Sequence, residues 1–253
     1  MGRALPIAVT FFSKFLCFMV KKKLVVLSGA GISAESGLKT FRDGDGLWEN
    51  HSIYDVATPD GFKKDPQLVL DFYNMRRKDV ANARENEAHI GLSRLNELLD
   101  VHIVTQNIDD LHERAGSTRV LHLHGEIFKM CSEKNTTKSY DIRGNINLGD
   151  LAEDGSQLRP HIVWFNEQVP MIENAIKLIE DCDYFAVIGT SLLVYPAASL
   201  IDYAPYDIPK FIIDKSIPYI NSLHNFQAIE MTASAGVQEL EKRLKELMLQ
   251  EDD

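Results

Sequence analysis

The chain has 253 residues, 45% of them hydrophobic and 25% charged, which is typical of a globular protein and excludes fibrous, collagen-like and wholly disordered chains. Its 27 Lys and Arg against 37 Asp and Glu give a formal net charge of −10, which repels phosphate backbones and anionic lipid, so we expect no nucleic-acid partner. The three cysteines (Cys17, Cys131 and Cys182) are odd in number and far apart, which favours a reducing compartment and predicts a cytoplasmic protein.

The N-terminal segment is apolar from Ala4 to Val20, but Ser13 and Lys14 interrupt it, and no run reaches the length of a membrane span. It leads into three lysines and has no small-residue cleavage site, which disfavours a signal peptide. Because Met19 stands just before a strong strand, we interpret residues 1–18 as a tail or an over-long start. We favour this over an amphipathic membrane contact and expect no stable membrane association.

From residue 24 onward, short apolar strands alternate with helical stretches, a pattern that indicates a parallel sheet with helices on both faces. Strands are predicted at 24–27, 101–105, 120–125, 161–165, 184–189 and 210–214. Helices are predicted, from apolar residues three and four apart, over 65–83, 86–99, 171–181 and 237–249. Residues 131–160 are polar and lack a helical period, so we interpret them as an insert or small subdomain.

A glycine-rich segment, 29–34, follows the first strand directly and has the G-x-G-x-x-G/A spacing of loops that open a helix and bind pyrophosphate. A strand-to-helix turn without a ligand explains the segment about as well, because the acidic residue expected about 20 residues later has no clear candidate. The segment after it, 36–48, carries three glycines, Arg42 and aromatic residues, which suggests a mobile lid over a cofactor.

Three more polar segments follow predicted strands. Residues 105–109 (TQNID) suit ribose hydroxyls or a carboxamide, or the N-cap of the next helix. His122 and His124 are two apart on one predicted strand, so both should point to one face, where His124 is a candidate base or a structural residue. Residues 189–191 (GTS) suit a phosphate or ribose pocket, or a capped turn.

Together these segments resemble one family. GAGISAESGLKTFRDGDGLW, TQNID, LHGE, RPHIVWFNE and GTSLLVYPAA occur in the order and spacing of the sirtuins, the NAD-dependent protein lysine deacylases, over about residues 22–249. The resemblance implies an α/β fold with a Rossmann-like parallel sheet, helices on both faces and a smaller inserted subdomain. The catalytic domain would span 19–253, with a Rossmann-like part at about 19–42, 86–128 and 168–253, a small lid and helical part at about 43–85 and a small insert at about 129–167.

The resemblance implies NAD as co-substrate. The glycine loop, Thr190 and Ser191 would hold its phosphates and adenosine side, while Asn107 and Asp109 would grip the nicotinamide and Gln106 its ribose. The full set of implied NAD contacts is Gly29, Ala30, Gly31, Ser33, Phe41, Arg42, Trp48, Gln106, Asn107, Ile108, Asp109, Gly189, Thr190, Ser191, Asp214 and Ala233.

The implied chemistry assigns catalytic roles to His124, Asn107 and Asp109. In the family the acyl-lysine amide oxygen attacks the ribose as nicotinamide leaves, and a histidine then deprotonates a ribose hydroxyl. His124 fits that role, since ribose hydroxyls are weak acids and a base with a pKa near 7 is both available and strong enough. The products would be nicotinamide, O-acyl-ADP-ribose and free lysine.

Substrate contacts are implied in two places. Val163, Phe165 and Asn166 lie in a segment resembling the strand that pairs with the substrate peptide. Asn166 replaces the usual glycine, and asparagine tolerates positive φ better than other non-glycine residues.

Acyl preference follows from Tyr73 and Arg76, which are three apart and share a helix face, placing a hydroxyl beside a guanidinium. A surface arginine beside a half-buried tyrosine is the alternative. In the context of the resemblance, the pair matches the Tyr-x-x-Arg motif of the class that removes succinyl and malonyl groups, and Ala57 would leave room for the longer chain.

Two departures from the family stand out. Many members bind a structural zinc through two Cys-x-x-Cys pairs, but here Cys131 is followed by Lys134, Leu151 and Asp154 at the other ligand places, so we predict no zinc. Asp214 stands where the family commonly has asparagine near the adenosine ribose, and it can still accept hydrogen bonds from ribose hydroxyls.

The leading interpretation is therefore an NAD-dependent enzyme that removes acetyl, succinyl and malonyl groups from lysines of acylated proteins or peptides. Three alternatives remain open at this point. They are a protein mono-ADP-ribosyltransferase on the same scaffold, a catalytically silent NAD-binding module, and a dehydrogenase.

Overall fold

The computed structural model describes residues 21–39, 47–48, 51–217 and 225–251. Its strands are β1 (Lys23–Ser28), β2 (Leu47–Trp48), β3 (His51–Ser52), β4 (Asp100–Thr105), β5 (Val120–His122), β6 (Gly125–Ser132), β7 (Ser139–Asp141), β8 (Leu158–Ile162), β9 (Tyr184–Ile188), β10 (Lys210–Asp214) and β11 (Phe226–Glu230). Its α-helices are α1 (Ile53–Val56), α2 (Pro59–Lys64), α3 (Pro66–Asn82), α4 (Glu87–Arg94), α5 (Leu111–Arg114), α6 (Ile172–Glu180) and α7 (Ala233–Glu251). Short 3-10 helices cover Ala30–Ser36, Leu95–Glu97 and Ala197–Tyr203.

Six of these strands form one parallel sheet in the order β11-β10-β9-β1-β4-β5. The central strands β1 and β9 are apolar throughout their middle because both of their faces are covered, as parallel strands require. The predicted parallel α/β sheet is confirmed. β11 was not predicted, since it is an edge strand whose only fully buried residue is Ile229.

Both faces of this sheet carry helices. Leu24 and Val26 pack on one side with α4 and α7, and Val25 and Leu27 pack on the other with α6 and the 3-10 helix at 197–203. Successive strand residues point to opposite faces, so one four-residue apolar run supplies both cores.

A third core joins α1, α2 and α3 to the antiparallel sheet β7-β6-β8. The α3 helix agrees with the predicted helix to within one residue at each end. Its start is well specified, because Pro66 occupies the first helical position and the Asp65 side chain accepts a 3.0 Å hydrogen bond from the backbone N–H of Leu68.

Several predicted elements have different bounds. The predicted strand 120–125 is two strands, because β5 ends at His122 and β6 begins at Gly125, whose φ of +79° breaks the extended run. The predicted strand 161–165 begins earlier and ends at Ile162, since the following segment turns back on itself through a bond from the N–H of Glu167 to the carbonyl of Trp164.

The predicted helix 86–99 stops being α-helical at Arg94 and continues as a 3-10 turn. The C-terminal helix begins at Ala233, four residues before its predicted start, because its first turn is also buried against the sheet at Ala233.

Within the described ranges, no helix combines the length and apolar character that a membrane crossing needs.

Candidate active site

The loops at the carboxyl ends of β1, β4, β9 and β10 meet around one cavity of about 350 Å³. Ligands of open parallel sheets bind at this end, where the strand order changes direction. Phe41 and Arg42 lie outside the described residues. Every other predicted site residue lines the cavity: Gly29, Ala30, Gly31, Ser33, Trp48, Ala57, Tyr73, Arg76, Gln106, Asn107, Ile108, Asp109, His124, Val163, Phe165, Asn166, Gly189, Thr190, Ser191, Asp214 and Ala233.

The glycine loop is packed directly against the turn after β9. The N–H of Gly31 donates a 2.8 Å hydrogen bond to the carbonyl of Gly189, and a Cβ at Gly31 would lie only 2.7 Å from that residue's Cα. A Cβ at Gly29 would lie 2.7 Å from the Cβ of Thr190. The glycines are thus required by loop-to-loop contact, and the helix that follows is a seven-residue 3-10 helix, not the α-helix that a dinucleotide motif predicts.

The loop after β4 carries the most densely hydrogen-bonded part of the site. The Asn107 amide nitrogen donates to the carbonyl of Gly29 and to the hydroxyl of Ser33, each at 3.2 Å. Ser33 in turn donates to the Asp109 carboxylate at 3.1 Å. This chain of contacts fixes the two predicted nicotinamide-binding side chains relative to the glycine loop.

Asp109 is 5% exposed, and burial raises the pKa of its carboxyl, although the N–H of Leu111 and the hydroxyl of Ser33, which both donate to it, act in the opposite direction. Through the 3.2 Å bond from Leu111, Asp109 satisfies an N–H at the start of α5, although the N-cap residue is Asp110 and not Asn107 or Asp109.

His124 lies just after β5 and lines the cavity. Its Nδ1 is 3.0 Å from the carbonyl oxygen of Gln106, and because a carbonyl only accepts, the proton must sit on Nδ1. The other ring nitrogen, Nε2, is then the one that can take up a proton. Burial lowers the pKa of His124, although the bond to Gln106 acts the other way, so the ring is neutral near pH 7.

His122 does not share this cavity. It lines a second cavity of about 300 Å³. Ile108 and Asp109 line both cavities. The expectation that the two histidines face one side of a single strand is wrong, because β5 ends at His122 and the chain bends before His124.

A buried polar cluster beneath the loop was not predicted. Ser28 bonds Thr105 at 2.9 Å and the Nε2 of His112 at 3.0 Å, and the rings of His112 and His89 lie 4.9 Å apart. Burial lowers the pKa of His89 to about 4 and that of His112 well below its ordinary value, so both are neutral near pH 7. Because the members of this cluster lie far apart in the sequence, no local pattern could have predicted it.

Tyr73 and Arg76 lie together on the cavity side of α3, where they are 1% and 6% exposed. The surface-arginine alternative is therefore wrong. The hydroxyl of Tyr73 accepts a 3.1 Å hydrogen bond from the indole nitrogen of Trp164, and the Arg76 guanidinium lies 5.4 Å from the ring centroid of Trp48. Burial raises the pKa of Tyr73, which keeps its hydroxyl protonated.

Residues 163–167 form a tight turn that lines the cavity. The backbone N–H of Phe165 donates to the carbonyl of Ala57 at 2.9 Å. The Glu167 carboxylate accepts from the N–H of Trp164 at 2.8 Å and is itself held by two bonds from Arg159, at 2.9 and 3.0 Å. Asn166 has a φ of +70°, so the left-handed backbone that the sequence predicts it would tolerate is present.

The part of the cavity next to β9, β10 and the start of α7 is lined by Thr190, Asp214 and Ala233. Asp214 is buried at the end of β10, where its carboxylate accepts a 3.1 Å bond from the N–H of Ser216. Thr190 accepts from Gln106 at 3.1 Å, which ties the turn after β9 to the loop after β4. Lys39, Lys215 and Met231 also line this cavity, although the sequence analysis singled out none of them.

The four positions that the resemblance matches to zinc ligands, 131, 134, 151 and 154, are not arranged as a metal site. Cys131 is buried on β6, while Ser132 next to it donates a 2.6 Å bond to Asp154 and accepts a 3.1 Å bond from the N–H of Lys134. Leu151 pairs with Gln157 in an isolated β-bridge. Among the described residues, no group of three or more His, Cys, Asp and Glu side chains is arranged to hold a metal ion.

Comparison with known proteins gives a consistent result. The Sir2 family model matches residues 29–196. The chain is 52% identical over 226 residues to an NAD-dependent protein deacylase of Helicobacter pylori, covering 89% of this chain and 99% of that protein. It is 45% identical over 229 residues to an NAD-dependent protein deacylase of Bacteroides thetaiotaomicron, covering 88% and 98%.

Two solved structures show the same likeness. A Sir2 homologue in complex with NAD has a TM-score of 0.79 and 35% identity, covering 90% of this chain and 91% of that one. A Sir2 protein with a deacetylated peptide and 3′-O-acetyl ADP-ribose has a TM-score of 0.73 and 29% identity, covering 88% and 94%.

Proposed function

This chain belongs to the Sir2 family and is an NAD-dependent protein lysine deacylase, and we propose that it removes succinyl and malonyl groups as well as acetyl groups. The observation that carries the proposal is the placement of the Tyr73 hydroxyl and the Arg76 guanidinium in the same cavity as His124 and Asn107. A carboxylate at the end of a bound acyl chain would meet two donors there.

The cavity fits NAD. The glycine loop and the turn after β9 form one wall in which added side-chain atoms would collide with backbone, and the buried carboxylate of Asp214, at the end of β10, offers an acceptor for ribose hydroxyls. NAD supplies the ribose whose bond to nicotinamide breaks and which receives the acyl group. In this proposal Asn107 and Asp109 orient the nicotinamide end, and Ser33 keeps their side chains in register through its two hydrogen bonds.

We assign the general base to His124. Its Nδ1 proton is committed to the carbonyl of Gln106, and its lowered pKa keeps Nε2 available to take a proton from a ribose hydroxyl. The carbonyl fixes both the tautomer and the direction of the ring, much as a carboxylate does for other catalytic histidines.

The acyl end would be recognised by charge-assisted hydrogen bonds from Tyr73 and Arg76. A carboxylate buried without a partner is very unfavourable, so the cavity admits a succinyl or malonyl group only because these donors are present. Ala57 is 3% exposed and borders the same cavity, and its methyl group leaves space for the longer chain.

For the substrate peptide we propose pairing with the segment 163–166. The segment lines the cavity, and Phe165 is 37% exposed and so accessible to a peptide. Because the N–H groups of Val163 and Phe165 already donate to the carbonyls of His124 and Ala57, a peptide would pair through other main-chain groups of the segment.

We further propose that the enzyme needs no structural zinc. The hydrogen bonds among Ser132, Lys134 and Asp154 hold the region that zinc stabilises in many relatives, and a single cysteine cannot supply a tetrahedral site.

The test is mass spectrometry of one lysine peptide, offered unmodified, acetylated, succinylated and malonylated, with NAD and either the wild-type protein or His124→Tyr. The proposal expects nicotinamide release that requires an acyl group, mass loss from all three acyl peptides, and no reaction with the variant. Mass loss from the acetylated peptide alone would refute the proposed acyl range. An ADP-ribose mass gained by protein without deacylation would instead favour ADP-ribosyl transfer.

A further inference from the structure

One histidine singled out by the sequence is not used by the mechanism. The ring of His122, at the end of β5, joins two groups: its Nδ1 lies 2.9 Å from the carbonyl oxygen of Asn107, and its Nε2 lies 2.8 Å from a carboxylate oxygen of Glu113 on α5. Only 8% of the His122 side chain is exposed.

Both partners of His122 are hydrogen-bond acceptors. A carbonyl cannot donate, and neither can an ionised carboxylate, so only the doubly protonated imidazolium satisfies both contacts at once. His124 differs, because the structure gives its ring one bond to a carbonyl, that of Gln106, which the neutral ring satisfies. The contacts therefore suit a positively charged ring at His122 and a neutral ring at His124, two residues later.

The carbonyl that His122 holds belongs to the loop that binds the nicotinamide end. Consecutive carbonyls of this loop, those of Gln106, Asn107 and Ile108, accept from His124, His122 and the N–H of Ile127. The bond from His122 therefore fixes the peptide group that joins Asn107 to Ile108. This group lies between the two predicted nicotinamide-binding residues, Asn107 and Asp109.

We propose that His122 is a positioning residue for NAD cleavage. Its doubly protonated ring donates one hydrogen bond to the main-chain carbonyl of Asn107 while it donates the other to Glu113. When the ring loses one proton, the remaining proton goes to the charged acceptor, Glu113, because charge-assisted hydrogen bonds are the stronger ones. The carbonyl of Asn107 then faces a ring lone pair and the loop loses its support. This inference rests on the deacylase activity and is independent of the acyl preference.

The surroundings support the charged form. Burial alone would lower the pKa of His122, but the hydrogen bond and charge of Glu113, with the charge of Glu126 on β6, raise it overall. Other titratable or charged groups that act on His122 or line the second cavity beside it are Asp109, Asp110, His112, Lys129, Asp141 and Arg143.

The first arm of the test is the pH profile of nicotinamide release from NAD with an acetylated peptide. The wild-type rate should fall on the alkaline side, above the ordinary histidine pKa of 6.5, and level off about tenfold below its maximum, the cost of losing one buried hydrogen bond. Glu113→Gln should remove this decline, since a glutamine amide can donate to Nε2 and leave the proton on Nδ1. His122→Asn should also remove it, since its amide reaches the Nδ1 position and donates at every pH.

Two further variants complete the first arm. His122→Leu cannot donate and should lower kcat about tenfold near neutral pH, a typical loss for a buried hydrogen bond. His102→Asn is the matched control, because His102 pairs with Asp100 at 3.0 Å on β4, away from the cavity, and it should keep the wild-type profile.

The second arm needs no NAD. Proton–nitrogen NMR of the imidazole rings should show His122 doubly protonated at pH 7 and His124 carrying its proton on Nδ1 alone, with resonances assigned by the His122→Asn and His124→Tyr variants. A neutral His122 ring at pH 7 would overturn the proposal. So would an alkaline decline that is the same in the wild type, Glu113→Gln and His122→Asn.

Discussion

The indole nitrogen of Trp164 donates a 3.1 Å hydrogen bond to the hydroxyl oxygen of Tyr73, and both side chains are buried. Because the Tyr73 oxygen accepts here, its own proton is left to point toward another acceptor. The tyrosine is thereby oriented as a donor toward the cavity, which is the role that recognition of an acyl carboxylate requires.

Replacing Trp164 by phenylalanine keeps an aromatic ring but removes the indole donor. Trp164→Phe should lower kcat/KM for a succinylated peptide about fivefold, the equivalent of one ordinary hydrogen bond, and change deacetylation less than twofold. Steady-state kinetics of this variant, Tyr73→Phe and the double variant test the link. The double variant should lose no more than Tyr73→Phe alone, and fully additive losses would show that the two residues act independently.

The contact between the glycine loop and the turn after β9 predicts a stability effect. Gly31→Ala would place a methyl group 2.7 Å from Gly189, so it should destabilise the fold by about 1–3 kcal/mol, as overpacked sites do. Gly144→Ala is the matched control, since nothing lies within 4 Å of its added Cβ. Urea unfolding of both variants measures the difference, and equal midpoints would mean that the loop contact is not tight.

The buried histidine His89 predicts a pH dependence of stability. Its pKa is lowered to about 4, so between its ordinary value of 6.5 and about 4 the unfolded chain binds a proton that the folded chain does not. Stability should therefore fall as the pH drops through this window, by at most roughly 3 kcal/mol from this group. The melting temperature should therefore drop between pH 7 and pH 4.5, and this drop should be smaller in His89→Gln than in the wild type or in the control His102→Gln.

The region around Cys131 predicts insensitivity to chelators. Treatment with EDTA followed by gel filtration should leave the melting temperature and the deacylation rate unchanged, because Ser132 and Asp154 bond each other there. Elemental analysis of the purified protein provides the independent check. One zinc ion per chain, lost together with activity, would contradict this prediction.

Patterns that are local in the sequence predicted the fold well. The buried run 210–214 coincides with β10, and the apolar spacing after Pro66 gives α3 to within one residue, because burial on both sheet faces or on one helix face leaves a periodic signal. β11 leaves little such signal, since it exposes most of its side chains at the sheet edge. The bend between His122 and His124 depends on Gly125, whose added Cβ would lie 2.0 Å from the carbonyl oxygen of His161.

Many of the residues that line the cavity were predictable, and the contacts among them were not. Ordered motifs pointed to many of the residues that line the cavity, including Asn166 with its positive φ, but not to Lys39, Lys215 or Met231. The bond between Tyr73 and Trp164 joins residues 91 positions apart, and the neutral pair His89 and His112 forms only when two helices pack. The cytoplasmic location and the absence of nucleic-acid or stable membrane partners stay predictions from composition.

The central claim, that the cavity recognises an acyl carboxylate, rests on the buried Arg76. The most direct measurement is kcat/KM for the succinylated and acetylated forms of one peptide. It compares the wild type with Arg76→Met and with Arg84→Met, a control at an exposed arginine. The claim predicts that Arg76→Met loses about 10- to 100-fold in desuccinylation, the equivalent of roughly 1.5–3 kcal/mol for a charge-assisted hydrogen bond, while deacetylation stays within about threefold and Arg84→Met behaves as wild type. Equal losses for both acyl groups in Arg76→Met, or no loss in either, would contradict it.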